Sequence, residues 1–141
     1  MKDDIRVILA DNNVQDRESK KRLLNEQGIQ VVYETGDGKK ALENIKKLKP
    51  DVVVMDMILP GVDGLEILEE CREFTEYKPL FIIATALRRE GLIEQALAQG
   101  ANYYMMKPLS ATMLIKRIRQ IAASVGEGEE GQAAVHHSEE K

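Results

Sequence analysis

The chain has 141 residues, 43% of them apolar and 31% charged, with a formal net charge of −4. That is the length of one domain with a single core, and the mild acidity argues against a domain that by itself grips nucleic acid or an anionic membrane. No stretch approaches the roughly 18 apolar residues of a membrane span, the acidic start Met1-Lys2-Asp3-Asp4 is unlike a signal peptide, and the lone Cys71 excludes an intrachain disulfide and fits a reducing cytoplasm.

Short apolar runs alternate with longer amphipathic stretches. Arg6-Val-Ile-Leu-Ala10 reads as a buried strand. A helix is expected from about Val14 to Gln27, punctuated by Gly28. Gln30-Val-Val-Tyr-Glu34 alternates more, as a strand nearer a sheet edge does. Ala41, Leu42, Ile45 and Leu48 mark one face of a second helix, which Pro50 ends. Val52-Val-Val-Met55, leading to Asp56, is the most apolar strand and the expected centre of the sheet. Pro60-Gly61 makes a turn, and Leu65, Leu68 and Cys71 mark a third helix, with Cys71 as a packed core thiol. Leu80-Phe-Ile-Ile-Ala84 is a fourth strand, followed by a helix through Leu92, Ile93, Ala96 and Leu97 that stops at Gly100. Tyr103-Tyr-Met-Met106 is the fifth strand, and Ser110 caps a last helix with Leu114, Ile118, Ile121 and Ala122 on one side.

Strict strand–helix alternation implies a mostly parallel, doubly wound α/β sheet with helices on both faces and right-handed crossovers. The ordered domain is expected to span 1–124. From about Val125 the chain turns to Gly, Glu and His, with little apolar surface to repay ordering, so 125–141 reads as a disordered acidic tail or truncated linker. A missing C-terminal DNA-binding output domain and a natural end fit the tail equally. His136 and His137 form a weak metal pair in such a context.

Open sheets of this kind bind ligands beyond the carboxyl ends of their strands. The residues expected there are Asp11, Asp56, Thr85-Ala86 and Lys107-Pro108. Taken singly, each has an ordinary explanation: a helix cap, β-propensity, a solvated lysine. Together they suit phosphoryl transfer to a carboxylate. An aspartate can accept a phosphoryl group as an acyl phosphate. A lysine, a hydroxyl and a hard cation held by oxygens would meet its charge, and the small Ala86 would leave the group room to enter.

The string from Pro50-Asp51 through Asp56, Pro60 and Gly64, with Thr85-Ala86 and Gly100-Ala-Asn-Tyr-Tyr-Met-Met-Lys107-Pro108, resembles the response-regulator receiver domain over roughly Ile5 to Ser124. Within that family, the Gly100 to Leu109 region is most similar to the receivers of sporulation regulators. The resemblance implies a flavodoxin-like (βα)5 sheet of order 2-1-3-4-5. It implies Asp56 as phosphoacceptor and Thr85 and Lys107 as ligands of the phosphoryl oxygens. Asp11, Asn12, Asp56 and the Ile58 backbone carbonyl would lie at a Mg2+ ion, with Ala86 at the phosphoryl entrance. Tyr104 would be a switch residue that swings inward with Thr85, and Lys107–Pro108 a cis peptide. It further implies a histidine kinase or histidine phosphotransfer protein as donor, a cytoplasmic location, and a switching surface on helix 4, strand 5 and helix 5. That surface would serve an output partner or a homodimer, with Arg117 and Arg119 as candidate salt-bridge partners unless they form a solvated basic face.

The chain departs from the family at three places. Asn12 stands where a second acid usually touches the metal, a loss of about 1–4 kcal/mol at contact range. Ser19 and Lys20 stand where the first helix usually buries apolar side chains; loose packing there is the favoured expectation over a rotated helix or a different partner face. Ile58 and Leu87, two residues beyond Asp56 and Thr85, are apolar where polar groups would help position a hydrolytic water, which suggests slow dephosphorylation. A phosphorylation switch is therefore expected, rather than an enzyme beyond slow self-phosphorylation and self-dephosphorylation. The alternative is a pseudo-receiver that binds proteins without phosphate control. A flavin carrier or phosphate hydrolase on the same fold is disfavoured, since no Gly-x-Gly-x-x-Gly loop follows the first strand.

Overall fold

The computed structural model describes residues 4–126 and 134–136. Five strand–helix units follow one another: β1 (Arg6–Ala10), α1 (Val14–Glu26), β2 (Gln30–Thr35), α2 (Gly38–Leu48), β3 (Val52–Met55), α3 (Gly64–Arg72), β4 (Leu80–Thr85), α4 (Glu90–Ala98), β5 (Tyr103–Met106) and α5 (Ala111–Gly126). The strands are parallel and lie in the order β2-β1-β3-β4-β5, the flavodoxin-like arrangement.

The two-residue period of the strands divides the core. Ile8, Val53, Ile83 and Tyr104 face α2, α3 and α4, where they meet Ala41, Ile45, Ile67, Leu68 and Ile93. Val7, Leu9, Val54, Ile82 and Met105 face α1 and α5, where they meet Leu24, Leu114 and Ile118. Cys71 is buried in the first layer, and burial pushes its thiol up to about 12.

The starts of α1, α2, α3 and α5 are fixed by short polar side chains that satisfy otherwise unpaired amides, whereas α4 starts after Arg89 without one. Asn13 accepts from the Asp16 N–H, Asp37 from the Lys40 N–H, and Ser110 from the Met113 N–H. Asp63 and Glu66 close a reciprocal capping box on α3. Gly38 opens α2 where a side chain has no room: a Cβ there would lie 1.6 Å from the Val62 carbonyl oxygen. Its N–H donates to Pro60 O at 2.9 Å, so α2 abuts the loop that follows β3.

Three details differ from the sequence reading. A sixth strand, β6 (Ala134–His136), runs parallel to the outer side of β5, where no strand was expected. An open strand edge accepts further pairing, and Ala133-Ala-Val135 is the least polar run of that region. The remainder of the expected tail, 127–133 and 137–141, with His137, lies outside the described residues. Second, α1 is not loosely packed at Lys20: that lysine is buried one turn before Leu24, its ammonium 2.6 Å from Asp16 Oδ1. A lysine stem covers apolar surface while its head finds a partner, and Ser19 and Leu23 are exposed. Third, Arg117 is buried with its guanidinium 4.7 Å above the Tyr103 ring, and Arg119 donates to Gln27 O at 2.8 Å. Arg117 is thus withdrawn from any solvated basic face, whereas Arg119 stays exposed while it bonds its own chain.

Candidate functional site

Three side chains from widely separated segments meet beyond the carboxyl ends of β1, β3 and β5. Lys107 Nζ lies 2.7 Å from Asp11 Oδ2 and 3.1 Å from Asp56 Oδ2. Parallel strands in register carry these residues to one level: Ala10 is opposite Met55, and the Asp56 N–H donates to Ala10 O at 2.9 Å. Lys107 is fixed by its own N–H donating to Thr85 O at 2.9 Å, and its peptide bond to Pro108 is cis.

The carboxylates are oriented by backbone donors. Asp56 Oδ1 accepts from the Ile58 N–H at 3.2 Å, and Asp11 Oδ1 from the Asn13 N–H at 2.9 Å. Burial alone would lower the Lys107 pKa, but the hydrogen bond to Asp11 and the charges of Asp56 and Asp11 outweigh it. The ammonium is thus held protonated above its ordinary value, a fixed positive charge between two acids.

The Thr85 side chain is buried, and its hydroxyl accepts from the Leu87 N–H at 3.4 Å. Ala86 is exposed at the mouth of the site, as is Ile58, at 52% relative exposure. Tyr104 is fully buried, with its hydroxyl donating to Leu87 O at 3.4 Å. Burial first, and then the Asp56 charge, raise its pKa. Thr85 and Tyr104 are therefore tied to the same residue of the loop after β4.

The oxygen donors suit a hard divalent cation, though with only two carboxylates, Asp11 and Asp56. Among the described residues no group of three or more His, Cys, Asp and Glu could hold a metal. Asn12 Nδ2 donates to Ile58 O at 3.4 Å, so an amide nitrogen faces the carbonyl expected to serve the metal. Rotation of that amide would present its oxygen instead. The set fits a cation held by two charges and two neutral oxygens.

Sequence reasoning missed Arg17. It donates from Nη1 to Asp11 O and from Nε to Glu34 Oε1, the latter at 2.8 Å. Burial would raise the Glu34 pKa, but hydrogen bonds from Arg17 and Lys21 outweigh it and lower it. The available signal was the spacing Arg17, Lys20, Leu24, one inward helical stripe in which lysine and arginine stand for apolar residues.

A family model of the response regulator receiver domain matches residues 7–119. The transcriptional regulatory protein PdtaR of Mycobacterium tuberculosis is 34% identical over 129 residues, covering 86% of this chain and 62% of PdtaR. TrcR of the same organism is 38% identical over 120 residues, covering 82% of this chain and 44% of TrcR. The chain thus spans less than two thirds of these relatives. Among solved structures, the receiver domain of a NarL regulator from M. tuberculosis superposes with a TM-score of 0.80 at 31% identity, covering 86% of this chain and 98% of that one. A CheY-like receiver from Methanospirillum hungatei, at 22% identity and TM-score 0.82, shares the fold. On this footing, the chain belongs to the response regulator receiver domain family.

Proposed function

We propose that this receiver is a working phosphorylation switch with Asp56 as acceptor. The observation that carries the reading is the bridge from Lys107 Nζ to Asp11 and Asp56. The donor is a phosphohistidine of a histidine kinase or a histidine phosphotransfer protein. An Asp56 carboxylate oxygen attacks phosphorus, an O–P bond forms as the N–P bond breaks, and the imidazole leaves with the electron pair and is protonated. The Ile58 N–H holds the carboxylate in place. Lys107 keeps its contact with Asp11 and turns its charge to a phosphoryl oxygen. Asp11, Asn12, Asp56 and the Ile58 carbonyl would hold a magnesium ion, which would supply further charge neutralisation. The Thr85 hydroxyl exchanges its Leu87 contact for a phosphoryl oxygen, and the loop after β4 follows, with Tyr104 tied to that loop.

The readout is a population shift of the α4–β5–α5 surface. It serves an output partner, a second copy, or a domain beyond this sequence; the relatives are longer proteins named as transcriptional regulators. Among the described residues no helix is long and apolar enough to cross a membrane; work in the cytoplasm is proposed because a buried, free Cys71 thiol fits a reducing compartment. The narrower likeness to sporulation receivers rests on Gly100 to Leu109 alone.

Acetyl phosphate with magnesium, followed by intact mass, tests the reading: wild type gains one phosphoryl group and Asp56→Asn gains none. No gain on wild type would favour the second reading, a protein-binding module without phosphate control. The contact of Asn12 with the Ile58 carbonyl is the observation on that side.

A further inference from the structure

The two margins of the five-stranded core are built differently. β2 meets its margin with half-exposed, mixed residues, Val31 to Glu34. β5 is Tyr-Tyr-Met-Met and almost wholly buried. An apolar edge strand with open N–H and C=O groups invites pairing with another chain unless something covers it. Here Tyr103, Tyr104 and Met105 stand in register with Ala134, Val135 and His136.

We propose that Ala134–His136 is a built-in cap on the β5 edge, which must leave before the α4–β5–α5 face can take a partner by strand or face contact. Chain connectivity supports this occupant. α5 runs back along the sheet, so β6 starts at the same end as β5, and the unit β5–α5–β6 repeats the connection used throughout the fold. The residues between Gly126 and Ala134 can span about 27 Å when extended, ample for such a return. The cap lies beside the switch: Val135 is opposite Tyr104, and Tyr104 in turn pairs with Ile83 of β4 and bonds the loop after β4. Movement of that loop is transmitted to the edge on which the cap sits. The release step rests on the phosphoacceptor reading; the cap itself does not.

Hydrogen exchange on the full-length chain tests both parts. Alternate residues of a strand face its neighbour, so replacing Ala134 and Val135 together by proline removes one N–H directed at β5 whatever the phase. Without metal or phosphate, this double variant should exchange the outward β5 amides about tenfold faster than wild type, while Ala134→Ser with Val135→Thr should not. Equal protection in the proline variant overturns the cap. Beryllofluoride with magnesium, its binding read by fluorine resonance, should move wild type toward the proline variant. Bound beryllofluoride with undiminished protection overturns release. Failure of beryllofluoride to bind removes the release step together with the phosphoacceptor reading, while the first comparison still decides the cap.

Discussion

The Lys107 ammonium stands 3.1 Å from the Asp56 carboxylate and bridges it to Asp11, so a single cation reconciles two acids that would otherwise repel. Removing it should therefore cost stability as well as function. Lys107→Met is expected to lose about 1–3 kcal/mol, below the range for a fully buried pair because each partner keeps some contact with water. Urea titration reads this directly. A variant as stable as wild type would show that the bridge is structurally idle.

Magnesium affinity should respond to Asn12. Asn12→Asp restores a charge near the cation and removes the amide nitrogen that faces Ile58 O. Calorimetric titration should show tighter binding by about 1–4 kcal/mol. Equal affinities would mean that the side chain at 12 does not meet the ion.

Phosphate lifetime should respond to Ile58. An exposed isoleucine two residues beyond Asp56, the proposed acceptor, can neither donate to nor accept from an attacking water. Ile58→Asn is expected to shorten the life of the acyl phosphate several-fold, followed by intact mass over time. An unaltered decay would place the control of lifetime elsewhere.

The buried Lys20 should be replaceable by an apolar residue. Its ion-pair partner among the described residues, Asp16, is partly exposed and can return to water when left alone. Lys20→Leu should match or exceed wild type by up to about 1 kcal/mol, whereas Lys20→Ala should lose about 1–2 kcal/mol through its missing stem. A marked loss in the leucine variant would assign the ammonium a role at the neighbouring site.

Stability should fall on the alkaline side. Lys107 and Tyr104 are raised, and Cys71 is raised from 9.0 to about 12. Folded values above unfolded ones mean a contribution complete at lower pH and lost as pH climbs through the folded value. Urea midpoints should hold near about pH 8 and decline between about pH 9 and 12. Glu34, shifted downward, acts oppositely: its contribution is lost as pH falls below its ordinary 4.5. A flat alkaline profile would contradict the burial of these groups.

The architecture was legible because strands and helices here carry different periods, and their ends carry punctuation at Gly28, Pro50, Gly100 and Ser110. The acids and Lys107 were legible because topology alone sends strand ends to one rim. Lys20 and Arg17 were not, because a basic residue on a helix reads as surface until its partners are placed. β6 was not, because three residues of modest β-propensity carry no signal without the open edge that receives them. The tie between Tyr104 and Leu87 depends on loop geometry, which no local pattern encodes.

The close seat of Gly38 against Val62 has a bearing on how a donor protein docks. The stretch after Asp56 is pinned at Pro60 by α2 and again at Met57, whose carbonyl accepts from the Gly64 N–H at 2.9 Å. It behaves as a fixed sill, not a door. On the phosphoacceptor reading proposed above, an approaching phosphohistidine would come over the threshold formed by Asn12, Val14, Ile58 and Ala86, all of them exposed. Recognition of such a donor would then be decided by the contour of that threshold before any rearrangement begins.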